Sequence, residues 1–505
     1  MTRFQTLDFY ELMELSLYDP TCGYYTAGRV QFGDEADFWT FPERMSPIFG
    51  HVIAGNVLEM ALALSQAGLW SGEDPNNPFT VVEFGAGRGV LASDILDFAE
   101  YQHNHGDPLW TWLFPRLRYL IAERSPALRT VQQSATRRHV EAGRLQHLTF
   151  AEHDVLPAVP PLVGLVLSNE LFDVYPHHWL EVPNRVAYLT AGWPHKAGMD
   201  FKTAARTAMG TPLPYPIWNT QFRPPVPWAE DSDVASYLHA LTPLFAHHHA
   251  HGITTKLFIS PPMAQFAALV QSFLTTGFVI TIDYGGTATQ ICDPEPLVDL
   301  LRTYPEIADA NPMVDDTPGS PRLGWPGSQD ITMDIDFTHL AFAGTRNDLD
   351  VVYFGPQGHL LLGISPERRI DPLSRTCREQ MVTNYRHRTG LGELAAQKDM
   401  YQTAKSFCDQ SPGFRVLVQK TRNVGKEVLR WSEPTDPVLP EQLQWLIRGG
   451  FNEWKSIFER AGFDSEAALS LRLLGDPWSD LEHHGFRYQR RELVAALQNA
   501  GFLNR

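Results

Sequence analysis

Residues Phe79 to Leu96 read FTVVEFGAGRGVLASDIL, and this stretch decides the fold. It opens with a short apolar run, Phe79, Val81 and Val82, of the β-branched and aromatic kind that suits a buried strand. The acid Glu83 follows, then Gly85, Gly87 and Gly89 at two-residue spacing, then Val90, Leu91, Ile95 and Leu96 in helical spacing. Strand, glycine turn and helix together make a nucleotide-binding crevice. Glycine lets the backbone turn tightly and lets a ligand approach the main chain, and the helix beyond offers unpaired N–H groups. The spacing is neither the dinucleotide fingerprint GxGxxG nor a P-loop, which needs GK[ST]. A plain structural turn has the same composition, so the rest of the chain must decide.

The 505 residues are enough for two to four domains. An apolar content of 43% and a charged content of 20% are ordinary for a globular enzyme. The net charge of −17 argues against broad nucleic-acid or anionic-membrane binding and permits a basic protein or peptide partner. Cys22, Cys292, Cys377 and Cys408 are scattered without CxxC spacing and read as reduced thiols, so the expected compartment is the cytoplasm. The amino-terminal stretch MTRFQTLDFYELMEL has early acids and no apolar core of a signal peptide. No apolar run approaches the roughly 18 residues of a membrane span, so no membrane insertion is expected. Oligomeric state is not legible.

Five segments follow from the pattern. Residues 1–70 form a helical and lid segment: a helix over 4–18 stopped by Asp19-Pro20, a Gly, Pro and aromatic loop that holds Glu43, and an apolar helix from about Ile48 to Gln66. Residues 71–185 carry the glycine turn. After a spacer over 100–116, LRYLIAE (Leu117 to Glu123) reads as the second strand; Glu123 then either accepts the ribose hydroxyls of a nucleoside or is a surface carboxylate. A helix over Arg124 to Gln133 is entered through Ser125-Pro126, with proline at its first position. Asp154, after a third strand near Leu148 to Phe150, lies near an adenine amine or serves as a cap. The unbroken run Leu162 to Leu167 suits a strand buried on both faces. It ends in SNELFDVYP, which puts Asn169, Glu170 and Asp173 at the carboxyl rim of the sheet; for Asp173 a helix-capping role is the alternative.

Residues 186–265 form an insertion with few readable elements. Its histidines 247–249 and 251 have the chemistry of metal ligands, but adjacent histidines diverge on a helix, and a solvated helix end is the preferred reading. No metal is expected. Residues 266–422 hold a helix over Phe266 to Phe273, a strand over Phe278 to Gly286 that ends in Asp283 and Tyr284, and two last strands, Asp350 to Phe354 and Phe414 to Lys420, with helices around 371–408 between them. Residues 423–505, with Trp445 and Trp454, read as a helical extension.

Several of these blocks together resemble the MidA family. The form of the glycine turn is similar to motif I of class I S-adenosylmethionine-dependent methyltransferases. GYY (Gly23 to Tyr25) and ADFWTFPERMSPIFG (Ala36 to Gly50) come first, then VVEFGAGRGVLASDIL, LIAERSPALR and SNELFDVYP. GFVITIDYGG, DITMDIDFTHL (Asp330 to Leu340) and GPQGHLLLGI (Gly355 to Ile364) follow, in family order over roughly residues 10–420. The family's mitochondrial member is a complex I assembly factor acting as a protein-arginine methyltransferase.

The resemblance implies an α/β fold: a Rossmann-like class I methyltransferase sheet of parallel strands with an antiparallel last strand, helical and loop insertions, and a C-terminal helical appendage. It implies S-adenosyl-L-methionine as methyl donor, with Glu83, Gly85, Ala86, Gly87, Gly89, Glu123, Arg124, Asp154 and Asn169 as its binding residues. Glu170, Asp173, Asn169 and Glu43 are the catalytic candidates. The implied acceptor is an arginine side chain of a protein partner, a respiratory complex I or NDH-type subunit. Ala36, Phe41, Arg44-Met45, His51 and Ile259-Ser260 depart from the family pattern. The donor blocks are kept while the lid block is altered, so two alternatives stand beside that acceptor: a small molecule, or a donor-binding assembly factor with little catalysis.

Overall fold

Apolar strands alternating with amphipathic helices build one central sheet. Its strands are β1 (Phe79–Phe84), β2 (Leu117–Ala122), β3 (Leu145–His147), β4 (Leu162–Asn169), β5 (Leu274–Gly286), β6 (Leu349–Pro356) and β7 (Phe414–Thr421). The computed structural model describes residues 2–27, 30, 40–148, 160–182, 185–194, 199–208, 210, 213–224, 232–250, 252–292, 300–304, 310, 321–361, 364, 368–408, 414–425 and 428. The sheet order is β6-β7-β5-β4-β1-β2-β3, and an eighth, two-residue strand, Ile335–Asp336, pairs parallel with the end of β5. Neighbours are parallel except at β7, which runs antiparallel to β5 and to β6. This is the parallel sheet with an antiparallel last strand that the sequence implied.

β1 and β4 are buried at every position, which is why both are rich in apolar residues and Leu162 to Leu167 is an unbroken run: helices cover both faces. Side chains alternate between faces. Val81, Leu165 and Leu167 pack with the helices Ile48–Gln66, Val90–Asn104, Arg375–Thr389 and Glu393–Cys408. Val82, Phe84 and Val166 pack with Pro261–Phe273 and Phe337–Arg346 on the other side. Leu165 is fully buried, so Leu165→Ala is expected to cost about 3 kcal/mol, read as a lower denaturant midpoint at unchanged slope. From β1 the chain builds outward through β2 and β3, and from β4 in the opposite direction. The loops after β1 and β4 therefore diverge and leave a crevice at the carboxyl ends of the strands.

Several expectations need correction. The helix expected over 4–18 is a strand, Thr2–Asp8, followed by a helix Phe9–Met13 and a π-helical turn Glu14–Tyr18. Asp8 and Glu11 form a capping box that ends the strand and starts the helix: the Asp8 carboxylate accepts from Glu11 N–H at 2.7 Å and the Glu11 carboxylate from Asp8 N–H at 3.0 Å. The strand is the edge of a second, antiparallel sheet with Arg185–Pro194, His178–Glu181, Lys256–Ile259 and Ile217–Arg223. The insertion is thus a sheet that borrows its edge from the amino-terminal segment. Residues 1–70 are accordingly shared: Phe9, Leu12 and Met13 belong to the core of the second sheet, Ile48 to Leu64 to that of the central one.

The spacer over 100–116 is mostly helical. The helix from Val90 runs to Asn104, and a further helix, Pro108–Leu113, is capped by Asp107, which accepts from Leu109 and Trp110 N–H at 2.9 and 3.0 Å. The helix Ile48–Gln66 is long and apolar enough to cross a membrane, contrary to the sequence reading, but 72% of its most apolar stretch is buried inside the protein. Nearly all of the extension over 423–505 lies outside the described residues.

Candidate active site

A cavity of about 520 Å³ opens at the carboxyl ends of β1, β2 and β4. Its floor is the glycine turn. Gly85 and Gly87 have φ +68° and +51°, the left-handed region that other L-residues avoid. A Cβ on Gly85 would stand 2.8 Å from Leu171 Cδ1, whereas one on Gly87 would meet no protein atom within 4 Å. Gly87 lines the cavity, so the space beside it is left to a ligand. Ala86 lines it too, while Gly89 caps the following helix at φ +80° and does not. Glu83, 3% exposed, accepts from the Tyr119 hydroxyl at 2.7 Å, and burial pushes its carboxyl up to about 7.

Glu123 is not a surface carboxylate. It is 8% exposed and lines the cavity. It accepts from Ser125 N–H at 2.8 Å and from Gln132 Nε2 at 3.1 Å, and the same amide donates to Gly87 O at 2.9 Å. Gln132 thereby ties the acid at the end of β2 to the glycine turn. Burial raises this carboxyl to about 6. The helix beyond, Pro126–Ala135, starts on Ser125, whose hydroxyl accepts from Leu128 N–H, as the Ser-Pro signal implied. Arg124 lines the cavity with its guanidinium 5.0 Å from the centre of the Tyr18 ring. Asp154 lies outside the described residues.

The second wall comes from the end of β4. Asn169 donates to Glu170 Oε1 at 3.0 Å, and the same oxygen accepts from Phe41 N–H at 3.0 Å. Glu170 has φ +50°, a conformation that costs a non-glycine residue on the order of 1–3 kcal/mol and concentrates at functional sites. Its carboxylate holds the first residue of the short lid helix Phe41–Arg44. Burial lifts the Glu170 carboxyl to about 7. Asp173, 4% exposed, accepts from the Tyr284 hydroxyl through Oδ2, and its Oδ1 has no hydrogen-bond partner among the described residues. Burial raises its carboxyl also. No helix starts at Asp173, which removes the capping alternative.

Glu43, on the lid helix, is 4% exposed with neither oxygen hydrogen-bonded among the described residues. The Arg88 Nε lies 3.8 Å away. Burial raises this carboxyl to about 7, against the opposing pull of Arg88 and Arg388.

Asp283 does not face the cavity. It is fully buried and accepts from Phe172 and Asp173 N–H at 3.0 and 3.4 Å, fixing the turn that carries Asp173. Tyr284 beside it lines the cavity, as do Tyr25 and Asp330, joined by a 2.8 Å hydrogen bond from the Tyr25 hydroxyl. The sequence reading assigned no role in the site to Arg88, Tyr25 or Asp330, although each lies in a quoted block. His248 is buried and pairs with Thr255 Oγ1 at 2.8 Å. No group of three or more metal-ligating side chains occurs among the described residues.

Comparison with known proteins places this geometry. A family model described as "Putative S-adenosyl-L-methionine-dependent methyltransferase" matches residues 61–355. The Drosophila melanogaster protein arginine methyltransferase NDUFAF7 homolog, mitochondrial, is 32% identical over 181 residues, 34% of this chain and 38% of that one. The match thus spans well under half of the curated relative's length. A COG1565 superfamily member from Burkholderia thailandensis, solved bound to S-adenosyl-homocysteine, shares the fold with a TM-score of 0.50 and 20% identity over 83% of this chain and 89% of its own. A native COG1565 superfamily structure from the same organism matches with the same score and identity over 88% of its length. The chain belongs to this family of S-adenosyl-L-methionine-dependent methyltransferases, with S-adenosyl-L-methionine as methyl donor.

Proposed function

We propose that the chain methylates an arginine side chain of a protein partner. One observation carries the reading: Glu43 and Asp173 are lining residues of the cavity, and three of their carboxylate oxygens are buried with no hydrogen-bond partner among the described residues. Buried acids of this kind are costly unless a cation meets them, and Arg88, 3.8 Å from Glu43, pairs with it without a hydrogen bond. A guanidinium presents five N–H donors in one plane and pairs with carboxylates in bidentate fashion. The charge of the wall favours the same acceptor, with seven carboxylates against three arginines among its lining residues. The fly relative is itself named a protein arginine methyltransferase. The family resemblance supports a respiratory complex I or NDH-type subunit as the partner we propose, and the cytoplasm is the compartment we assign.

The donor supplies a methyl group on a sulfonium sulfur, placed for in-line displacement. In this reading Gly85, Ala86 and Gly87 let the donor lie on the main chain, and Glu123, held by Gln132, accepts its ribose hydroxyls. Glu170, Asp173 and Glu43 fix the guanidinium plane, and alignment of this kind supplies much of the acceleration. The attacking nitrogen gains a methyl and loses one proton, which passes to an ionised carboxylate of this group.

The pH dependence follows. Transfer should rise as pH passes about 7, where Glu43 and Glu170 ionise. Stability moves the other way: a carboxyl raised above its usual 4.5 favours the folded state below pH 4.5 and loses that contribution as pH climbs through about 7. The Tm of Glu43→Gln minus that of the parent should therefore increase between pH 6 and pH 8.

Incubation with labelled donor and cell extract tests the acceptor. Label in a protein band that acid hydrolysis releases as methylarginine supports the reading. Label in the small-molecule fraction overturns it in favour of a metabolite acceptor, and no label at all in favour of an assembly factor with little catalysis.

A further inference from the structure

The helical hairpin Arg375–Thr389 and Glu393–Cys408 joins β6 to β7, and none of its residues lines the cavity. One of its side chains nevertheless reaches the lid. Arg388 donates through Nη2 to Ser46 Oγ at 2.6 Å and through Nη1 to Glu43 O at 3.3 Å. Asn384, one helical turn earlier on the same face, donates to the same Ser46 Oγ at 2.9 Å. Ser46 is 2% exposed. A hydroxyl has two acceptor sites; here both are in use, and the lid and the hairpin meet at Ser46.

Apart from the Arg88 ion pair at 3.8 Å, nothing in the described structure orients the Glu43 carboxylate directly, since neither oxygen has a hydrogen-bond partner among the described residues. Its place in the cavity is set through the backbone of the lid helix. That backbone is held at two points: Phe41 N–H by Glu170, and the Glu43 carbonyl with Ser46 by Arg388. We infer that Arg388 is a positioning residue for methyl transfer, holding the lid from behind so that the Glu43 carboxylate stands where the acceptor guanidinium enters. The inference rests on the reading that Glu43 meets that guanidinium. Arg is suited to the task because its planar fork bonds two oxygens at once, which a lysine ammonium on a flexible stem does less well.

The probe is Nα-acetyl-arginine amide, titrated calorimetrically into full-length protein saturated with S-adenosylhomocysteine. Arg388→Met should weaken its binding roughly tenfold, because a small displacement of a positioned group is costly, while S-adenosylhomocysteine affinity stays within about twofold. Arg388→Lys should recover part of the loss, and Ser46→Ala should reproduce it. In the double variant Glu43→Gln, Arg388→Met, the second change should add nothing to the loss from Glu43→Gln, since both act through one contact. Additive losses, or donor affinity falling in step with the probe's, overturn the inference. If Glu43→Gln leaves probe binding unchanged, the acceptor reading fails as well. If Glu43→Gln weakens it and neither Arg388→Met nor Ser46→Ala does, only the positioning role fails.

Discussion

Glu170→Gln should lower the methyl-transfer rate about 100-fold or more, in the range of a lost general base, with donor affinity within about threefold. The substitution is conservative where it must be. A glutamine oxygen still accepts from Phe41 N–H, so the lid helix keeps its anchor, and the side-chain volume hardly changes. What disappears is a charge at the end of β4, beside Asp173 and Glu43 in the same cavity wall. The left-handed backbone at this position shows that the fold tolerates strain to put this side chain here. Single-turnover rates with labelled donor, set beside calorimetric donor affinity, separate the two effects. An unchanged rate would sink the assignment, and an equal drop in affinity would turn Glu170 into a donor ligand.

Glu123→Ala should act on the other half of the reaction, lowering donor affinity about 100-fold or more, because hydrogen bonds to a charged group contribute about 1.5–3 kcal/mol each. The loss is compounded locally. Ser125 N–H and the Gln132 amide lose their acceptor, and Gln132 is the tie to Gly87 O. Glu123→Gln keeps the shape and should fall between parent and alanine. A donor affinity that survives the alanine change would show that the ribose is held elsewhere.

What the sequence disclosed was local. β1, its glycine turn and the following helix occupy a single stretch, and the burial of β1 is written in Phe79, Val81 and Val82. Ser125-Pro126 announced its helix by the same local chemistry. Glu43, Glu123, Glu170 and Asp173 were all named beforehand and line one cavity, because each stands in a block with its own signature. The second sheet was illegible because Thr2–Asp8 finds its partner only at Arg185–Pro194, and no periodicity in either stretch encodes the other. Asp8 and Glu11 did carry a helix-start signal that was passed over. Arg388 could not be found that way, since its contact with Ser46 spans 342 positions.

The pairing of Asp8 with Tyr188 also has a consequence for how the protein is made. At synthesis rates of ~5–20 residues per second, the nascent amino-terminal strand waits roughly 10–40 s for its partner to leave the ribosome. Meanwhile Phe9, Leu12 and Met13, which are fully buried in the finished protein, stay uncovered, and Tyr10, Glu14 and Tyr18 cannot yet close their side of the pocket. Holdase chaperones that cover apolar nascent segments should therefore raise the yield of donor-competent protein more than the total yield.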